Sequence, residues 1–254
     1  MEKIIEICCG SYEDALAAYR GGAKRIELNS ALHLGGLTPS IGTLRLVKKN
    51  TNLKVIAMVR PRGAGFCYSL ADFEVMKTDA EILMEHGADG IAFGCLDEEG
   101  NIHIEQTREI IDIIKKYEGE AVFHRAFDCV KNPYESMETL IAMGVDRVLT
   151  SGLKAKAMDG MELIAKLQET YGDKIEILAG SGINASNALE MMEKTGIYQV
   201  HSSCKGYRHD STTTGEEVTY SYMEGVHQDD YDVVEEELVR ELVESVSVLK
   251  RKIL

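Results

Sequence analysis

Charged and hydrogen-bonding side chains close one apolar run after another in this chain. Glu6 and Cys8 close Ile4-Ile5-Glu6-Ile7-Cys8, and Glu27 and Asn29 close Arg25-Ile26-Glu27-Leu28-Asn29. Arg60 and Arg62 follow Val55-Ile56-Ala57-Met58-Val59. His124, Arg125 and Asp128 follow Ala121-Val122-Phe123, and His201 and Ser203 follow Tyr198-Gln199-Val200. Burying an unpaired charge is costly, so repeated charge at the ends of buried runs implies that those ends converge on one polar site. Glu27, His124 and Asp128 are types that move protons near neutral pH. Arg60-Pro61-Arg62-Gly63-Ala64-Gly65 suits a carboxylate or phosphate, because guanidinium forks match such anions. Arg125 and Ser151 join that anion-binding set. Gly180-Ser181-Gly182 resembles a phosphate-approaching loop at the start of a helix. The competing structural reading is an internal ion-pair network, built from Glu6, Glu27 and the arginines, that plugs the interior.

Cysteine points to other chemistry. Six cysteines stand at 8, 9, 67, 95, 129 and 204, without zinc-finger spacing. Cu(I) prefers soft thiolates at low coordination number. Cys8, flanked by polar groups, is the candidate metal ligand, with Cys204, Cys67 or Cys95 as its partner. A small buried hydrophobe is the alternative role for each of them.

The elements that must position these groups form a series. Gly22-Ala23-Lys24-Arg25-Ile26, Gly87-Ala88-Asp89-Gly90-Ile91 and Gly144-Val145-Asp146-Arg147-Val148 each follow a helical pattern and open an apolar run. Two βα units fit each interval. Strands are expected at 3–8, 25–29, 54–60, 90–94, 121–124, 147–150, 175–179 and 199–203. Helix starts are signalled by Ser11 with Asp14, by Asn132 before Pro133, and by Asn184 before Ala185. Eight βα units predict an α/β chain forming one (β/α)8 barrel across residues 1–254, whose active site would lie at the C-terminal strand ends. Period-2 alternation then puts Glu6 with Cys8, Glu27 with Asn29, and Met58 with Arg60 toward the barrel axis. A doubly wound open sheet is the rival, but it would not gather site residues from the first, third, fifth and eighth strands. A long irregular polar loop is expected over 206–231, and a last helix over 232–252 with Leu238, Leu242, Val246 and Leu249 inward.

The formal net charge of −14 over 254 residues argues against nucleic acid and anionic membrane surfaces. No apolar run is long enough for a membrane span, and the opening Met1-Glu2-Lys3-Ile4 lacks a signal-peptide core. A cytoplasmic protein with free thiols is expected.

Taken together, Glu6-Ile7-Cys8, Gly21-Gly22-Ala23-Lys24-Arg25-Ile26-Glu27-Leu28, Gly35-Gly36-Leu37-Thr38-Pro39-Ser40, Met58-Val59-Arg60-Pro61-Arg62-Gly63, Phe123-His124-Arg125-Ala126-Phe127-Asp128, Leu149-Thr150-Ser151-Gly152 and His201-Ser202-Ser203 resemble the CutC family of copper homeostasis proteins. The resemblance implies a cytoplasmic (β/α)8 barrel, a homo-oligomer (dimer or tetramer), and Cu(I) binding or trafficking. It assigns Cys8 as one copper ligand. The second cysteine it implies falls at Asn29, a poor Cu(I) ligand. The alternative is a barrel enzyme or sensor for a small phosphorylated or carboxylated metabolite. Arg60, Arg62 and Gly180–Gly182 would then hold the anion, and Glu27, His124 and Asp128 would move the proton.

Overall fold

The computed structural model describes residues 2–247. Eight parallel strands close into a barrel in chain order: β1 (Ile4–Cys9), β2 (Arg25–Leu28), β3 (Lys54–Met58), β4 (Gly90–Phe93), β5 (Glu120–Phe123), β6 (Arg147–Thr150), β7 (Glu176–Ala179) and β8 (Gln199–Ser202). Between and after them run α1 (Tyr12–Arg20), α2 (Ile41–Asn50), α3 (Leu70–Glu85), α4 (Ile104–Lys116), α5 (Pro133–Met143), α6 (Met161–Tyr171), α7 (Ala188–Thr195) and α8 (Glu236–Ser247). The fold is the expected (β/α)8 barrel. No helix among the described residues is long and apolar enough to cross a membrane.

Alternation along each strand divides the core. Ile5, Ile7, Cys9, Ile26, Leu28, Val55, Ala57, Val148 and Val200 belong to the large apolar layer between strands and helices. Ile56, Met58, Ala92 and Val122, from the opposite faces of β3, β4 and β5, form a separate small cluster inside the barrel. Leu149 and Leu178 of β6 and β7 are buried outside the large layer as well, and most of the remaining interior is polar. Pairing sets its register: Glu6 lies beside Arg25 and His201, and Cys8 beside Glu27.

Local signals account for most element ends. Ser11 caps α1 by accepting the Asp14 N–H, and Asn132 caps α5 ahead of Pro133. Gly22, Gly87 and Gly144 take φ of 96°, 91° and 81°, the left-handed turn that lets each helix exit directly into a strand. The helix expected after Asn184 instead begins at Ala188. Asn184 and Asn187 hydrogen-bond to each other in a turn that delays it.

The stretch 206–231 is less irregular than expected. It starts and ends in an antiparallel pair, β9 (Lys205–His209) with β10 (Asp230–Val234). β9 is exposed on most of its length, so it carries no apolar alternation to betray it. Asp14 fixes the hairpin base by accepting the Val234 N–H at 2.8 Å. Consequently α8 starts at Glu236, not at 232. Its inward face is Val239, Leu242 and Val246, while Leu238 is 40% exposed. Leu249 and the expected end at 252 lie outside the described residues.

Candidate functional site

The interior polar layer has two levels. The lower is an ion network. Glu6 Oε2 lies 2.5 Å from Arg25 Nε and 4.0 Å from Arg147 Nη1, and Glu6 Oε1 lies 2.9 Å from His201 Nδ1. Arg147 continues to Glu120 and Glu176, each at 2.9 Å, and Lys54 reaches Glu120. Burial pushes the Glu6 carboxyl up, but Arg25, the His201 hydrogen bond and Arg147 outweigh it and hold it at about 2. Glu6 is therefore an ionised anchor, enclosed below the cavity and absent from its lining.

Above it, at the C-terminal strand ends, opens a cavity of about 460 Å³. Of the residues singled out in the sequence, Cys8, Glu27, Arg60, His124, Arg125, Asp128, Ser181, Gly182, His201 and Ser203 line it. Asn29, Arg62, Ser151 and Gly180 do not. Arg62 turns away to Asp72 at 3.0 Å and to the Cys67 carbonyl at 2.8 Å. Ser151 sits behind Arg125, accepting its Nη2 at 2.9 Å. Asn29 lies beneath Cys8 and Glu27. Gly180 leaves no room beside Leu149 and His201, where a Cβ would come within 2.7 Å and 3.3 Å. Cys204 and Cys95 are buried and Cys67 is exposed on a loop. Burial alone raises the Cys95 thiol to about 12. Cys8 groups instead with Glu27 and His201, whose ligand-type atoms all lie within 4.8 Å of one another.

The charges around the cavity are unequally satisfied. Arg60 is 5% exposed. Its Nη1 donates to the Leu34 and Gly36 carbonyls at 2.9 and 3.1 Å, and its Nη2 to the Ala64 carbonyl at 2.6 Å. No carboxylate pairs with it among the described residues, and its buried Nε has no partner. Glu27 is buried too. Its Oε2 accepts Asn29 Nδ2 at 2.9 Å and meets Cys8 Sγ at 3.8 Å, while its Oε1 has no partner. Burial raises the Glu27 pKa and the nearby Glu6 charge adds to this, against the opposing pull of His201. Burial also raises the Cys8 thiol, with Glu27 contributing. For His201, burial is outweighed by the hydrogen bond to Glu6 and by the two glutamates, so its pKa rises. Asp128 is fully occupied by donors from Arg125, Thr150, Ser151 and Leu153.

His124 is held neutral. Its Nδ1 accepts the Ala126 N–H at 3.1 Å as it caps the short turn that follows β5, so the ring hydrogen sits on Nε2. Burial and then Arg60 lower its pKa from 6.5 to about 3. The unfolded chain therefore binds a proton that the folded chain refuses as pH falls below 6.5, and the stability due to this group is lost over that range. Replacing His124 by asparagine is expected to cost less stability at about pH 5 than at about pH 7.5. Urea unfolding of both proteins at both pH values checks it, and a penalty independent of pH would exclude a neutral buried ring.

Sequence reading missed Phe66, Lys205 and Asp232 in the lining. Phe66 lies between Arg60 and His124, 5.1 Å from each. Lys205 and Asp232 come from the hairpin, whose strands carry no apolar alternation. Arg25 and Arg147 were also missed, although each stands three residues after the glycine of the recurring phrase.

The CutC family model matches residues 3–206. A CutC family protein of Treponema denticola is 47% identical over 209 residues, 82% of this chain and 84% of that protein. A human protein described as a copper homeostasis protein cutC homolog is 42% identical over 205 residues, 81% of this chain and 74% of that protein. The crystal structure of CutC from Streptococcus agalactiae superposes with a TM-score of 0.75 at 27% identity, covering 79% of this chain and 98% of that one.

Proposed function

The chain belongs to the CutC family, and from the geometry of its site we propose that the cavity at the C-terminal face of the barrel binds a small phosphorylated or carboxylated metabolite and performs proton transfer on it. The observation that carries this reading is Arg60, a buried guanidinium whose partners are three carbonyls and no carboxylate. A ligand anion would compensate that charge where water cannot. Glu27, with its raised pKa, holds or accepts a proton nearer neutrality than an ordinary carboxyl. His124 offers Nε2–H as a neutral donor to an oxygen that gains charge during reaction. Ser203 and the Ser181-Gly182 backbone supply further polar contacts on the opposite wall.

A thermal-shift screen with inorganic phosphate and panels of phosphorylated and carboxylated metabolites tests it. At least one compound should stabilise the native chain. Arg60→Gln, if folded, should bind that compound about 10–100-fold more weakly, the loss expected for a charge-assisted hydrogen bond. No response from any compound, or an equal response from the variant, overturns the reading.

A second reading, that of copper handling, comes from relatives named for copper homeostasis. What supports it here is Cys8 in the cavity beside His201. The thiolate pair that the family resemblance implies is not present, since Asn29 takes the second position. Cys204, Cys67 and Cys95 stand outside the Cys8 group. Anaerobic Cu(I) titration should show at least about tenfold weaker binding by Cys8→Ser. Equal affinity would exclude Cys8 as a copper ligand.

A further inference from the structure

We propose that Cys8, Glu27 and His201 form a three-ligand site for a borderline divalent cation of the zinc class, with the fourth position open to the cavity. This goes beyond both readings above. A one-thiolate Cu(I) site has no use for a carboxylate, whereas a mixed sulfur, nitrogen and oxygen donor set with one vacant position is the pattern of catalytic divalent sites.

Four observations carry it. First, one ligand-type atom from each of the three side chains lies within 4.8 Å of the other two, and Cys8 Sγ is 3.8 Å from Glu27 Oε2. Bonds of about 2.0–2.3 Å in a tetrahedron separate ligands by about 3.5 Å, so side-chain rotation would close the set without moving the barrel. Second, Glu27 is 3% exposed, lines the cavity, and leaves Oε1 without a partner. No lysine or arginine pairs with it among the described residues. Third, His201 is oriented as metal-bound histidines are. Its Nδ1 lies 2.9 Å from Glu6 Oε1, the placement in which a carboxylate orients a ligating ring through Nδ1–H and leaves Nε2 as the donor. Glu6 is fixed in turn by Arg25. Fourth, Asn29 serves the ligands instead of joining them. Its Nδ2 donates to Cys8 Sγ at 3.5 Å and to Glu27 Oε2 at 2.9 Å. Three acceptors around Nδ2, the Glu27 carbonyl included, set the amide orientation, and Gly36 packs against Oδ1, where an added Cβ would come within 2.4 Å. The residue that removes the second thiolate thus supplies a donor to both anionic ligands.

Charge agrees with this assignment. On binding, the Cys8 S–H bond breaks, its proton leaves through the cavity to solvent, and a metal–sulfur bond forms. Thiolate and carboxylate then carry two negative charges. A divalent ion cancels them, and Cu(I) leaves one buried negative charge over.

The test uses the full chain, stripped with a chelator and titrated with Zn(II), with Co(II) as the spectroscopic probe, and with Cu(I) under anaerobic conditions. One equivalent of Co(II) should give a near-ultraviolet thiolate-to-metal charge-transfer band in tetrahedral surroundings. Cys8→Ser should abolish the band, and Cys67→Ser should leave it intact. Glu27→Gln should weaken Zn(II) at least tenfold while changing Cu(I) affinity less than twofold, with circular dichroism confirming the fold. Asn29→Ala, which removes no ligand, should weaken Zn(II) without removing the band. Absence of the band in the wild type overturns the proposal, as does a band that survives in Cys8→Ser. A folded Glu27→Gln that binds Zn(II) like the wild type also overturns it. Arg60 takes no part, so failure here leaves the metabolite reading standing; success keeps anion binding by Arg60 but leaves His124 as the proton-transfer group, because a coordinated Glu27 carboxylate holds no proton.

Discussion

Replacing Glu6 by glutamine should lower unfolding free energy by about 3–5 kcal/mol, the usual penalty for removing one member of a buried charged pair. In a chain of this size that is a fall of roughly 10 °C in the thermal midpoint. Glu6 is 1% exposed and touches Arg25, Arg147 and His201 together. Glutamine keeps the volume but not the charge. Its amide nitrogen must also face a donor, because Arg25 Nε–H approaches one oxygen and His201 Nδ1–H the other. Arg147 retains Glu120 and Glu176, whereas Arg25 keeps only the neutral Gln199 at 2.6 Å. The contrast is with exposed pairs such as Lys166 with Glu162, whose loss should cost less than about 0.5 kcal/mol. Urea unfolding of Glu6→Gln and Glu162→Gln side by side measures both. A Glu6→Gln loss below about 1 kcal/mol would mean that the ring is only filler for the barrel. The pH dependence has a defined sign. Glu6 titrates at about 2 when folded and near 4.5 when not, so its stabilisation is present above pH 4.5 and disappears as pH falls toward 2.

The barrel was legible because every level of the sequence agreed on it. Apolar runs, helix caps and glycine exits recur in one order, with two βα units between successive copies of the glycine phrase, and the alternation in Ile4–Cys8 placed Glu6 and Cys8 on one face. Strand ends differ by a residue or two, and inter-strand backbone bonds such as Asn29 N–H to Cys9 and His124 N–H to Phe93 run one residue past the regular ladder. Asn29, Arg60, His124 and Ser203 sit just past their strands. What escaped was pairing between distant residues. Arg25 and Arg147 occupy the same place in the recurring phrase, and Gly90 occupies it in the third copy. A Cβ at Gly90 would come within 2.5 Å of the Glu120 carbonyl, so that copy cannot carry a side chain there. The repeat thus encoded two arginines and one space, which is legible only once the barrel is closed. The interior network expected as an alternative to a ligand site is real, but it engages Arg25 and Arg147, not Arg60 or Arg62. Glu27 stands outside it. Arg62 and Arg60 share a segment and differ in fate, because only Arg62 reaches an acidic residue, Asp72. The hairpin was hidden for a plainer reason: β9 is solvated, β10 buries only Val233 and Val234, and their partners lie more than twenty residues apart.

Asp128→Asn should also be costly, by about 3 kcal/mol, and for a reason opposed to a proton-carrying role. Asp128 Oδ1 accepts Thr150 Oγ1 at 2.6 Å, Ser151 N at 2.9 Å and Leu153 N at 3.2 Å. Its Oδ2 accepts Arg125 Nε at 2.7 Å, and Ser151 Oγ lies 2.8 Å away. Whichever oxygen becomes NH₂, it meets at least one N–H that has no alternative partner nearby. The loop after β6 cannot relax to compensate. Gly152 has φ of 68° and packs on Gly160, where an added Cβ would come within 2.3 Å of the Gly160 carbonyl. Losing the carboxylate should therefore loosen Ser151–Leu153 and release Arg125, which takes its orientation from both Asp128 and Ser151. A proton carrier behaves otherwise: its amide variant folds normally and fails only in turnover or in the pH profile of binding. Unfolding curves for Asp128→Asn, combined with hydrogen exchange at Ser151 and Leu153, distinguish the two. Unchanged stability and protection would return Asp128 to the proton-transfer set. Destabilisation with faster exchange in that loop leaves Glu27 and His124, whose Oε1 and Nε2 have no partner, as the groups available for proton transfer.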